Sequence, residues 1–125
     1  MFKTLALLCV SNIFMTYAWY GHLKDFRNKP LIAVIFLSWG VAFMEYCFQV
    51  PANRIGSQVM TLSQLKIMQE ILALSVFAVF AVFYMKVPLT RNFLYAALCI
   101  LGAAFFSYRD TPVAPEIPVQ TPPNK

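Results

Sequence analysis

Two acidic residues, Glu45 and Glu70, interrupt the long apolar runs of this 125-residue chain. Each has polar company at helical spacing. Gln49 stands four residues after Glu45, Lys66 stands four before Glu70, and Gln69 adjoins it. Residues four apart share one face of a helix. A carboxylate held at membrane depth is costly unless it faces a cavity or a partner, and residues kept there commonly bind or relay ions. The chemistry open to Glu45 and Glu70 is therefore binding of a proton or cation in alternation, tuned by Lys66 and Arg54. The plainer reading of Lys66 and Glu70 is an ion pair that fixes helix packing. Glu45 lends itself less to that reading, because no basic residue lies one turn away within its own run.

The elements that must position these residues are four apolar runs, expected as helices over about 4–21, 31–50, 64–85 and 90–108. At about 1.5 Å per residue, each crosses a hydrocarbon core. Pro30 suits the first turn of the second helix, Pro51 its end, and Thr61 with Gln64 three residues on reads as a capping box before the third. Tyr17, Trp19 and Tyr20 suit an interfacial belt at the end of the first. That run continues through bulky residues where a cleavage site needs small ones, so it reads as an uncleaved helix. With midpoints near 40 and 75, Glu45 and Glu70 both fall about 7–8 Å off centre on the side of the 51–63 loop. A hairpin of the second and third helices could gather Glu45, Gln49, Lys66, Gln69 and Glu70 into one cluster, extended by Ser11 and Asn12, although matched depth fixes height and not helix rotation. Arg54 lies beside it, within reach of a substrate anion, of Glu45 or of lipid headgroups.

Composition agrees with lipid as the solvent. The chain is 60% hydrophobic and only 12% charged, against about 25% charged in soluble domains. It carries no nucleophile motif, no phosphate loop and a single histidine, so an enzyme is not expected, nor a cofactor. Cys9, Cys47 and Cys99 lie inside apolar runs without motif spacing, which excludes a disulfide framework and a metal site. The basic residues are scattered at helix ends as anchors, not as a nucleic-acid patch. They divide nearly evenly between the two sides, so no positive-inside bias fixes the orientation. In the last helix Cys99, Ala103 and Ser107 repeat every four residues, a small-residue row suited to a dimer seam or to close packing within one bundle. Residues 110–125 hold five of the eight prolines and are expected to be disordered.

The stretches Glu45-Tyr46-Cys47-Phe48-Gln49-Val50-Pro51-Ala52-Asn53-Arg54-Ile55-Gly56 and Gln64-Leu65-Lys66-Ile67-Met68-Gln69-Glu70, with Tyr17 to Lys24, resemble a family of small four-helix bacterial membrane proteins. That family is placed in the drug/metabolite transporter superfamily and has no assigned substrate. The resemblance covers about residues 1–109. It implies a multi-pass protein of the inner (cytoplasmic) membrane that transports a small solute. The small multidrug resistance transporters, its better-known relatives, carry their essential glutamate in helix 1. This chain has no acid there, so none of their site residues transfers.

The resulting expectation is an all-α, integral membrane four-transmembrane-helix bundle with a disordered proline-rich tail, in contact with the lipid bilayer and forming a homodimer. Its function is expected to be transport of an unknown small solute through a site containing Glu45, Glu70, Lys66, Gln49, Gln69, Arg54 and Asn12. The alternative is a non-transporting accessory or interaction protein. Neither a metal nor nucleic acid is expected as a partner.

Overall fold

Four helices are long and apolar enough to cross a membrane: α1 (Phe2–Asp25), α2 (Leu31–Gly56), α3 (Leu62–Tyr84) and α4 (Arg91–Arg109). The computed structural model describes residues 1–109, among which there is helix and no strand. The proline-rich tail lies outside the described residues.

α1 is the central element. About 33% of its apolar window is buried, against 6% for α2, 6% for α3 and none for α4. Its buried stripe is Thr4, Leu8, Ser11, Asn12 and Thr16, one face at helical spacing and mostly polar. Lipid tails satisfy no hydrogen bond, so this mostly polar stripe turns inward, with Leu8 as its one leucine, while Phe2, Ile13 and Leu23 stay exposed. α1 packs against both α2 and α3, and α4 packs against α3. α2 and α3, consecutive in the chain, barely meet along their lengths.

Two helix ends depart from the sequence expectation. α2 does not stop at Pro51 but runs through it to Gly56. The proline lacks the N–H that would bond the Cys47 carbonyl, at a cost in helix stability. Burial of Ala52 and Gly56 against the neighbouring helices offsets that cost. α1 likewise continues beyond residue 21, through a wide π-helical turn at Tyr17–Gly21 and a last α-turn at His22–Asp25. Gly21 permits this, because the Tyr17 ring lies where a β-carbon on Gly21 would stand, 2.7 Å away.

Each end of the bundle is tied differently. At the α2–α3 end, Leu8, Ala52, Met60 and Leu65 form the small apolar core. The expected capping box is present: the Gln64 N–H donates to the Thr61 hydroxyl and the Thr61 N–H to the Gln64 side chain, both at 3.2 Å. Gln64 also holds α4, since its amide donates to the Ser107 carbonyl at 3.3 Å and its own carbonyl accepts from the Tyr108 hydroxyl at 3.2 Å. At the opposite end a second π-helical turn, Phe80–Tyr84, closes α3. The hydroxyls of Tyr17 and Tyr84 both donate to Asp25. Lys24 donates to the Tyr84 carbonyl at 2.6 Å and lies 4.4 Å over its ring. Lys86, at φ 59°, then turns the chain toward α4.

The core end leaves no spare volume at Gly56. A β-carbon there would lie 2.7 Å from Leu65 Cδ1 and 3.0 Å from Thr4 Cγ2. Gly56→Ala is expected to cost about 1–3 kcal/mol through overpacking. Gly40→Ala is the matched control, because nothing lies within 4 Å of its added carbon. Thermal unfolding in detergent should show a lowered midpoint for the first substitution and none for the second.

Candidate functional site

The central position of α1 separates the two acids. Glu45 faces the α1–α2 seam. There the fully buried Ser11 hydroxyl lies 2.8 Å from Gln49 Oε1 and 3.1 Å from Glu45 Oε1. The Gln49 amide donates onward to Asn53 Oδ1 at 3.2 Å. Glu45, Gln49 and Asn53, spaced four apart on α2, thus form a polar column running from mid-span toward the α2–α3 end. Phe14 and Phe48 stack beside it with ring centres 5.6 Å apart. A serine hydroxyl has one proton to donate. Given to Gln49, it leaves the Glu45 contact without a proton unless the carboxyl supplies one. The Ser11 hydroxyl can therefore serve only one of these two acceptors at a time.

Glu70 lies elsewhere, on α3. Its Oε1 is 2.5 Å from Lys66 Nζ, and the two side chains are 45% and 64% exposed. Among the described residues, no hydrogen bond or ion pair joins Glu70 to Glu45. The expected single cluster is thus corrected to two sites. The reason is that α1, with the polar face that lipid excludes, occupies the space a bare α2–α3 hairpin would have closed.

The remaining candidates fall into place around these two. Asn12 is buried beside Ser11, but its amide donates to the Leu8 carbonyl of its own helix at 2.7 Å, and its Oδ1 has no partner. Arg54 and Gln69 line a groove of about 370 Å³ at the α2–α3 end together with Asn53, Ser57 and Lys66. Arg54 is exposed there and makes no ion pair with Glu45 among the described residues. On α4, Cys99 and Ala103 are exposed, while Ser107 is half-buried with its carbonyl bound by Gln64.

Glu70 also borders a second groove of about 420 Å³ between α1, α3 and α4, walled by Thr16, Trp19, Tyr20, Phe77 and Phe93. Of these wall residues the sequence marks Trp19 and Tyr20 only as part of an interfacial belt, and it does not single out Thr16, Phe77 or Phe93. A usable signal existed in the run Thr4, Ser11, Asn12 and Thr16, whose helical spacing marks the inward face of α1 and hence the wall that Thr16 belongs to.

Residues 4–108 match the model of a family, DUF486, described as "Putative member of DMT superfamily". The chain belongs to this family. Neither a curated protein nor a solved structure matches it. The match covers all four spans and both acids, and it makes this DUF486 chain a multi-pass membrane protein.

The two sites differ in what their pairs are worth. Hydrogen bonds between membrane helices contribute about 0.6 kcal/mol on average and up to about 1.7, while exposed ion pairs contribute about 0–1. A double-mutant cycle of Ser11→Ala with Gln49→Leu, read by unfolding in mixed micelles, is expected to give a coupling near the upper end of the first range. The same cycle for Lys66→Ala and Glu70→Ala is expected to give less. A larger coupling at Lys66–Glu70 would mean that this pair within α3 adds more to stability than the α1–α2 seam bond does.

Proposed function

We propose that this DUF486 protein is a small-solute transporter or exporter of the drug/metabolite type, coupled to protons or another cation through its embedded carboxylates. The observation that carries this reading is the α1–α2 seam: one serine proton, two acceptors, and a carboxyl at mid-span able to supply the second proton. Polar groups of this kind inside a membrane bundle commonly lie on ion paths. Family membership supports transport as the class of activity. Access would alternate by rocking of α1 against its neighbours. Proton loss from Glu45 would free the Ser11 hydroxyl to turn from Gln49 to the carboxylate, which rearranges the contacts within the α1–α2 seam.

The inner membrane of a bacterium is the location this reading requires, and a homodimer is the assembly. A single bundle encloses little space, and α4 buries none of its residues. Its outward row at Cys99 and Ala103 lets a second copy approach closely. The same bare face is what favours the second reading, an accessory subunit whose α4 docks on a different membrane protein.

Reconstituted vesicles with an entrapped pH indicator decide between them. Addition of solutes from a metabolite and dye panel is expected to drive proton movement in the wild type. That signal should fall at least about tenfold in Glu45→Gln, since a carboxamide cannot cycle a proton. Solute uptake without proton movement would retain transport and remove the coupling. Absence of any flux from folded, reconstituted protein would leave the accessory reading standing.

A further inference from the structure

The groove between α1, α3 and α4 is walled by rings. Tyr20 meets Phe77 edge-on at 5.2 Å, Phe77 meets Phe93 at 6.0 Å, and Trp19 stands at the rim. Glu70 is the one charged residue in its lining among the described residues. Its volume, about 420 Å³, falls within the range of about 300–1,000 Å³ typical of small-molecule sites. A carboxylate attracts a cation, and so do the negative faces of aromatic rings. Among the described residues, no basic side chain lines this groove. Lys66 reaches the Glu70 carboxylate from outside, because it belongs to the neighbouring groove with Arg54 and Gln69.

We infer that this groove binds an organic cation with a ring-sized apolar body, with Glu70 as its counter-ion and Lys66 as an internal competitor that holds the carboxylate while the groove is empty. The inference rests on the transporter reading and adds the class of solute to it. The Lys66–Glu70 pair is suited to exchange. Neither side chain is enclosed by the protein, so a ligand in the groove can reach the carboxylate. Lys66 Nζ engages Oε1 of the carboxylate. A ligand ammonium held against the rings would compete for that carboxylate and gain aromatic contact as well. Thr16, buried on α1 and part of the same wall, supplies a hydroxyl for a polar substituent on the ligand.

The test uses the full chain in lipid nanodiscs with two soluble probes that share a benzyl group and differ in charge, benzyltrimethylammonium and benzylsulfonate. Tryptophan fluorescence reads binding, since Trp19 lines the groove. The protein's net charge of +5 favours the anion at long range, so preference for the cation would be a local property. Wild type is expected to prefer the cation by about tenfold or more. Glu70→Gln should erase that preference. Lys66→Gln should tighten cation binding about threefold to tenfold by removing the competitor, a gain that misfolding cannot produce. Equal binding of both probes by wild type, or weaker cation binding in Lys66→Gln, would overturn the inference. Proton-coupled flux of some other solute, with neither probe bound, would overturn the cation assignment and leave transport intact. Charge-selective binding with no flux of any solute would preserve the site and remove the transport reading.

Discussion

Lipid supplies no hydrogen bonds, and that constraint organises this molecule. A soluble bundle hides leucines, whereas here the hidden stripe of α1 is Thr4, Leu8, Ser11, Asn12 and Thr16. In hydrocarbon, burying a leucine gains little, while leaving a serine or asparagine in the tails leaves polar groups unsatisfied. α1 is therefore drawn to the middle, and the other helices arrange themselves on it. Much of α2, α3 and α4 remains outward and apolar, with Phe36, Trp39, Phe83 and Phe105 exposed. Those faces are the ones lipid or a second chain can cover.

The central helix then decides how the acids are used. Had α2 and α3 packed as a direct hairpin, Glu45 and Glu70 would have shared one pocket and repelled each other when ionised. With α1 between them, Glu45 hydrogen-bonds a buried serine and Glu70 lines an aromatic groove. The bundle is also fastened unevenly. Gln64 binds three partners at the core end, joining the start of α3 to the close of α4. The other end is held by side chains near the surface, with Asp25 receiving both tyrosine hydroxyls beside two π-helical turns. Such wide turns are uncommon and recur at functional sites. Their placement at one end, in two of the three helices that wall the aromatic groove, puts adjustable backbone where opening of that groove would need it.

The sequence made the four spans legible because length and hydropathy alone determine which segments can cross a membrane. It also made the Thr61–Gln64 capping box legible, since that motif is local. The helical register of Lys66 and Glu70 was equally readable, and the pair is present. What could not be read was the neighbour of each face. Depth is a one-dimensional property of a span, whereas rotation and helix order come from packing. Hence Glu45 and Glu70 sit on consecutive spans yet belong to different sites. Pro51 misled for a related reason. A proline usually ends a helix, but here Ala52 and Gly56 gain their buried contacts only if α2 continues.

Separation of the acids need not mean independence. Ser11 and Thr16 lie on one rigid stretch of α1, about 7.5 Å apart along its axis. Ser11 contacts the Glu45 column and Thr16 walls the Glu70 groove. Any change that trades the Ser11–Gln49 bond for a Ser11–Glu45 bond alters how α1 sits on α2, and Thr16 and Tyr20 move with it. Coupling between distant sites requires an element with two discrete arrangements that both sites bias. On the transport reading proposed above, α1 would be that element, because its seam offers one serine proton to two acceptors and its far side lines the aromatic groove.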